Sequence, residues 1–136
     1  MENLLGTYAR LCDERDTRGL GDLLGDAELR FGTAAPVTGR RAITQLYDSA
    51  FAPGRQTRHL VSNVIVTRAA AVDETVSRLS DRGSEAVESS AYYTRWVLNP
   101  APHLVGIGQY VSTFVRDDGS WRFATHTVHR DWLEET

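Results

Sequence analysis

The apolar pattern of this chain changes period near residue 55 and, residues 69–84 aside, does not change back. Before that point hydrophobic side chains recur at spacings of three and four, the signature of one helical face. After it they fall in β-branched runs of strand length. A chain that places its helices first and its strands afterwards cannot build alternating βαβ units, so an α+β domain is expected. Leu4, Leu5, Tyr8, Leu11 and Cys12 mark the first helix. Asp16 or Thr17 can cap a second, shorter one holding Leu20, Leu23 and Leu24, and glycines at 19, 21 and 25 leave its length open. Ile43, Leu46, Tyr47, Ala50 and Phe51 give the clearest helix, stopped by Pro53-Gly54.

Four strands are expected beyond it, over residues 57–67, 85–98, 103–116 and 121–130. Asn99-Pro100-Ala101-Pro102 ends the second, and Asp117-Asp118-Gly119 is a hairpin turn between the last two. Residues 69–84 fit either a short helix through Val72, Val76 and Leu79 or an extended hairpin. To bury the helices' apolar faces, a mainly antiparallel sheet has to curl around all three of them. The result is a cone with one deep pocket, the natural place for a small ligand. Gly106-x-Gly108 is followed by no helix, so it is not a dinucleotide fingerprint; it marks a bend that lets the sheet curl.

Composition narrows the chemistry. At 136 residues the chain makes one domain, residues 1–136, and 41% hydrophobic with 24% charged residues is the balance of a folded globular protein. A formal charge of −3 gives no electrostatic reason to expect nucleic acid or an anionic membrane as partner. All fifteen basic residues are Arg, which excludes lysine Schiff bases and P-loop lysines; it is also the codon bias of a GC-rich genome. The single cysteine, Cys12, excludes an internal disulfide and a cysteine-rich zinc site. No apolar run is long enough to span a bilayer, and the first ten residues lack the charge and apolar pattern of a secretion signal, so a cytoplasmic location is expected. His126 and His129 have a spacing that would chelate zinc on a helix, but on a strand they face opposite ways. No metal and no cofactor are expected.

Three stretches in order resemble the nuclear transport factor 2-like superfamily, in its SnoaL-like and scytalone-dehydratase-like branch. Residues 8–16, Tyr-Ala-Arg-Leu-Cys-Asp-Glu-Arg-Asp, are similar to that branch's opening helix with its Y-A-x-x-x-D-x-x-D pattern. Val37-Thr38-Gly39-Arg40-Arg41-Ala42-Ile43, running on to residues 57–63, is the second, and the hairpin from Tyr110 to Phe123 is the third. The resemblance implies the cone-shaped fold, pairing into homodimers through the convex sheet face, and a pocket lined by the opening helix's aspartate and by a histidine at the start of the first long strand. The matching positions are Asp13 and His59. Cys12 stands where that branch has a tyrosine, and Ser112 where relatives often carry a second carboxylate.

The residues carry their own argument. His59 lies in an apolar strand run on the same face as Val61 and Asn63, and its imidazole can both give and take a proton near neutral pH. Asp13 sits at the edge of the first helix's apolar stripe, by spacing alone the usual place of a surface aspartate; the resemblance implies that it orients the imidazole. Tyr47, Tyr92, Tyr93 and Tyr110 could donate phenol protons to a substrate oxygen. Tyr92 and Tyr93 face opposite sides, so only one of them lines the pocket, and of the two Tyr92 is named as the site residue while the choice stays open. His103 and His126 are further proton-transfer candidates. Tyr110, Asn63, Ser112, Phe51 and Trp96 are the expected substrate-binding residues, Trp96 drawn from a set that otherwise reads as core with Trp121 and Phe123. Together these imply a cofactor-independent acid–base enzyme acting on a hydrophobic, oxygenated small molecule by cyclisation, dehydration or isomerisation. A non-catalytic binding member of the same fold is the main alternative. An epoxide hydrolase, its cation supplied by Arg95 or Arg116, is the other.

Overall fold

The helices form where apolar spacing puts them. The computed structural model describes residues 2–68 and 85–134, and within these α1 spans Glu2–Glu14, α2 Thr17–Leu24 and, further on, α3 Arg40–Ala50. Asp16 caps α2 by accepting the Gly19 N–H at 2.8 Å, which satisfies one of the free donors of the first turn. Phe51 leaves α3 in an extended conformation, two residues before Pro53. The helix or hairpin expected for 69–84 lies outside the described residues.

The long strands follow expectation within a few residues: β3 is Thr57–Arg68, β4 Glu85–Val97, β5 His103–Asp117 and β6 Ser120–Leu133. Two further strands, β1 at Glu28–Phe31 and β2 at Val37–Thr38, lie between α2 and α3, where none was expected. Four and two residues are too few to show a period, and the partner that makes β1 a strand is β6, at the opposite end of the chain. In spatial order the sheet runs β2-β1-β6-β5-β4-β3, antiparallel throughout except for the β1–β6 pair. The Asp118-Gly119 turn has positive φ at both residues, the backbone that a two-residue hairpin between twisted strands demands.

The helices cover one face of this sheet, its inner face. Leu5, Tyr8 and Cys12 of α1, Leu20 and Leu24 of α2, and Ile43 and Tyr47 of α3 are buried together with Leu29, Tyr110, Phe114 and Phe123 from the strands. Among the described residues no helix is long and apolar enough to cross a membrane.

The two glycines of β5 sit where the ladder is irregular. One bulge separates Arg95 from Trp96 against Gly106 and Leu104, and another separates Ile107 from Gly108 against β6. Gly108 has a second function beyond the expected bend: the Tyr93 ring lies across it. A Cβ there would come 2.5 Å from Tyr93 Cε1 and 2.1 Å from the His129 carbonyl oxygen, so ring or backbone would have to shift. Gly108→Ala is therefore expected to destabilise the fold by about 1–3 kcal/mol in a urea melt. An unchanged midpoint would mean that the ring moves aside freely.

Candidate active site

The last turn of α1, the C-terminal half of α3 and the inner faces of β3–β6 enclose a cavity of about 390 Å³. Strand register sets its wall. His59 lies directly opposite Arg95, which lies opposite Gly106; one row along, Val61, Tyr93, Gly108 and Arg130 are aligned across four strands. Paired residues share a face, so His59, Arg95, Tyr93 and Arg130 look the same way. Tyr8 and Cys12 from α1 and Tyr47 and Phe51 from α3 complete the lining.

Asp13 and His59 meet at one edge of it. The His59 Nδ1 is 2.6 Å from Asp13 Oδ1, and the side chains are only 13% and 9% exposed. The same carboxylate accepts the Thr57 hydroxyl at 3.0 Å and the His59 backbone N–H at 3.0 Å, so it is fixed from three sides and ties α1 to the start of β3. A carboxylate accepts and does not donate, so the bond requires Nδ1–H. Nε2 is then the basic nitrogen available to a substrate.

The phenols and the thiol are neutral. Burial pushes the Cys12 thiol up to about 12, which rules out a nucleophilic thiolate near neutral pH. Burial also raises Tyr47 and Tyr110 well above the usual phenol range, so both are hydrogen-bond donors and not bases. Tyr47 and Tyr8 share a hydrogen bond of 2.7 Å between their hydroxyls. Tyr110 stacks on Tyr93 at 4.5 Å between ring centres, giving the cavity an aromatic floor.

Of the expected site residues, Asp13 and His59 come together, and Tyr47, Tyr110 and Phe51 line the cavity. Six do not reach it. Tyr92 points to the outer face, 54% exposed, and Tyr93 takes the inner position. Asn63 is exposed with φ +53 because a bulge between Ser62 and Ile65 adds a residue to β3 and breaks the alternation that His59 and Val61 began. Trp96 falls on the same outer face of β4 as Tyr92 and Thr94 and donates its indole N–H to the Thr94 hydroxyl. His103 is exposed at the open end of β5, its Nδ1 turned to the Ala101 carbonyl at 2.8 Å. Ser112 and His126 are fully buried one row deeper than Tyr110, hydrogen-bonded to each other at 2.8 Å on the core side of the Tyr8 and Tyr110 rings. His129 faces away from His126, as strand alternation requires. Arg116 is paired with Glu85 away from the cavity, whereas Arg95 lines it.

Sequence reasoning missed Tyr8, Thr57 and Arg130. It left Tyr92 and Tyr93 as alternatives, since nothing local distinguished their faces.

Residues 1–127 match the family model of the SnoaL-like domain. No curated protein sequence matches significantly. Among solved structures the chain is similar to Aln2 from a Streptomyces species, at 22% identity and a TM-score of 0.76, covering 96% of this chain and 87% of that one. It is similar to a proposed scytalone dehydratase from Novosphingobium aromaticivorans at 20% identity and a TM-score of 0.71, covering 99% and 84%. A nuclear transport factor 2-like protein with a cystatin-like fold, from the same organism, matches at 20% identity and a TM-score of 0.69, covering 95% and 78%. At these identities the likeness establishes the fold.

Proposed function

Because the chain belongs to the SnoaL-like domain family, we propose that it is a cofactor-independent acid–base enzyme of bacterial secondary metabolism, acting on a hydrophobic oxygenated molecule such as a polyketide or prenylated aromatic. The observation that carries this reading is the Asp13–His59 pair at the edge of a cavity that is otherwise largely aromatic and aliphatic. His59 Nε2 takes a proton from carbon next to a substrate carbonyl, and the Asp13 carboxylate stabilises the imidazolium that forms. Tyr47, Tyr93 or Tyr110 donates to the enolate oxygen. The imidazolium then returns the proton to a departing hydroxyl (dehydration), to another carbon (isomerisation) or to a new alkoxide (cyclisation). Epoxide opening fits less well, because Asp13 already serves three hydrogen bonds to β3.

The test is incubation with β-hydroxy ketones of polyketide type in deuterium oxide. Loss of water or uptake of deuterium next to the carbonyl is expected with the intact protein and not with His59→Ala. Binding without either reaction would transfer the protein to the non-catalytic reading.

We further propose a homodimer through the outer sheet face. Leu60, Thr94, Ile107 and Trp132 form one row across β3–β6 there, and Tyr92 lies in the next row. Leu60 is 57% and Trp132 46% exposed, which is unfavourable for a face left in water. Sedimentation at micromolar concentration should give twice the 15.1 kDa chain mass, falling to the monomer in Trp132→Glu. A monomeric wild-type protein would contradict this.

A further inference from the structure

The cavity's charge is opposite in sign to the chain's. With a net charge of −3, the protein nevertheless lines this cavity with Arg15, Arg55, Arg95 and Arg130 and with no carboxylate at all. Arg15 is engaged: its guanidinium donates to the Ala52 and Arg55 carbonyls and lies over Phe51. Arginine ion pairs elsewhere join Arg40 to Asp22, Arg116 to Glu85 and Arg122 to Asp117. Among the described residues Arg55, Arg95 and Arg130 have no such partner, and Arg130 has only the Phe31 face at 5.7 Å. The carboxylate next to Arg130 in sequence, Asp131, takes a hydrogen bond from Gln109.

We propose that Arg95 and Arg130 bind a carboxylate of the substrate, so that the molecule processed here is a hydrophobic organic acid. This rests on the cavity being the substrate site proposed above. Arg95 faces His59 across the β3–β4 ladder, and Arg130 comes from two strands further on. Between them on β5 lie Gly106 and Gly108, which carry no side chain; the Tyr93 ring crosses Gly108, so no β5 side chain separates the two arginines. The Arg95 side chain lies against Gly106, where a Cβ would stand in ordinary contact with it, 3.7 Å from the Arg95 Cβ and 3.8 Å from Nε. Arg95 is half-buried and Arg130 more exposed, and among the described residues neither has a carboxylate within ion-pair distance. Burial first, then Arg130 and Arg55, lower the Arg95 pKa. A bound carboxylate would supply the missing charge through paired N–H···O bonds. The rest of the wall includes Phe31, Leu46, Phe51, Val97 and Val128, which suit an apolar body, with Arg55 as a further cation.

The test is calorimetric titration of the intact protein with 2-naphthoate, with neutral 2-naphthamide of the same shape, and with inorganic phosphate. The acid is expected to bind at least about tenfold more tightly than the amide. That preference should vanish in Arg95→Gln and Arg130→Gln, each checked by thermal melt, while the amide binds all variants alike. His59→Ala should keep the preference, so the result does not depend on whether His59 is catalytic. Equal affinity for acid and amide, no binding of the acid, or a preference that survives both arginine changes would overturn the proposal. Phosphate binding as tightly as naphthoate would also overturn it, by showing a site for any anion.

Discussion

Acid should weaken this fold steeply through one residue, His126. Its ring is fully buried, Nδ1 bonded to Ser112 and Nε2 left with no hydrogen-bond partner, so the Nε2–H that a charged ring must carry has nothing to bond to. Burial accordingly lowers its pKa from 6.5 to about 3. Between those values the unfolded chain holds a proton that the folded chain does not. Stability is intact above pH 6.5, is lost as the pH falls towards 3, and loses nothing further from this group below that. The slope for one proton is about 1.4 kcal/mol per pH unit. Urea melts between pH 7 and pH 4.5 should show it in the difference between wild type and His126→Asn, whose amide stands near the place of Nδ1 and does not titrate. Carboxylates common to both proteins cancel in that difference. Identical slopes would mean that His126 takes up its proton as readily in the folded state as in the unfolded one.

How much of this was legible in the sequence differs between fold and site. The change of period near residue 55 is a strong signal because α1, α3 and the four long strands are each long enough to repeat it. β1 and β2 are too short to repeat anything, and their pairing depends on contacts formed across the chain. At the site, the faces of Asp13 and His59 were readable because each sits on a regular element. Their roles came from the resemblance to the family's opening helix and first long strand, since spacing alone favours a surface aspartate at position 13. Asn63 was misplaced because a bulge is one inserted residue, and inserting one residue into a strand reverses every side chain beyond it. Tyr92 and Tyr93 could not be told apart for a related reason: both are aromatic, and only the register against Gly108 makes room for one ring on the inner face. His126 has a different lesson. Its face was readable, but its depth was not, because the rings that separate it from the cavity belong to Tyr8 and Tyr110, far from it in sequence.

The larger expected effect is on turnover. If His59 Nε2 moves the proton, His59→Ala should reduce turnover by about 10²- to 10⁴-fold, the usual worth of a positioned general acid–base group. Asp13 needs a more careful argument, because its carboxylate also holds Thr57 and the His59 backbone. Replacing it removes the ring's orienting partner and the link between α1 and β3 together, so a loss of activity alone would not separate the two. Thr57→Val provides the control: it removes one of the structural bonds and leaves the Nδ1 contact, and it should cost stability with little change in turnover.

The most direct measurement is a double-mutant cycle of His59→Ala and Asp13→Ala, on whatever substrate the wild-type protein turns over, with a thermal melt of each variant. Groups that act as a unit are not additive, so the double variant should be little slower than the slower single one. Folded His59→Ala protein with near-wild-type turnover would contradict the account at its centre; fully additive losses would leave His59 as the proton-transfer group and remove Asp13 as its partner.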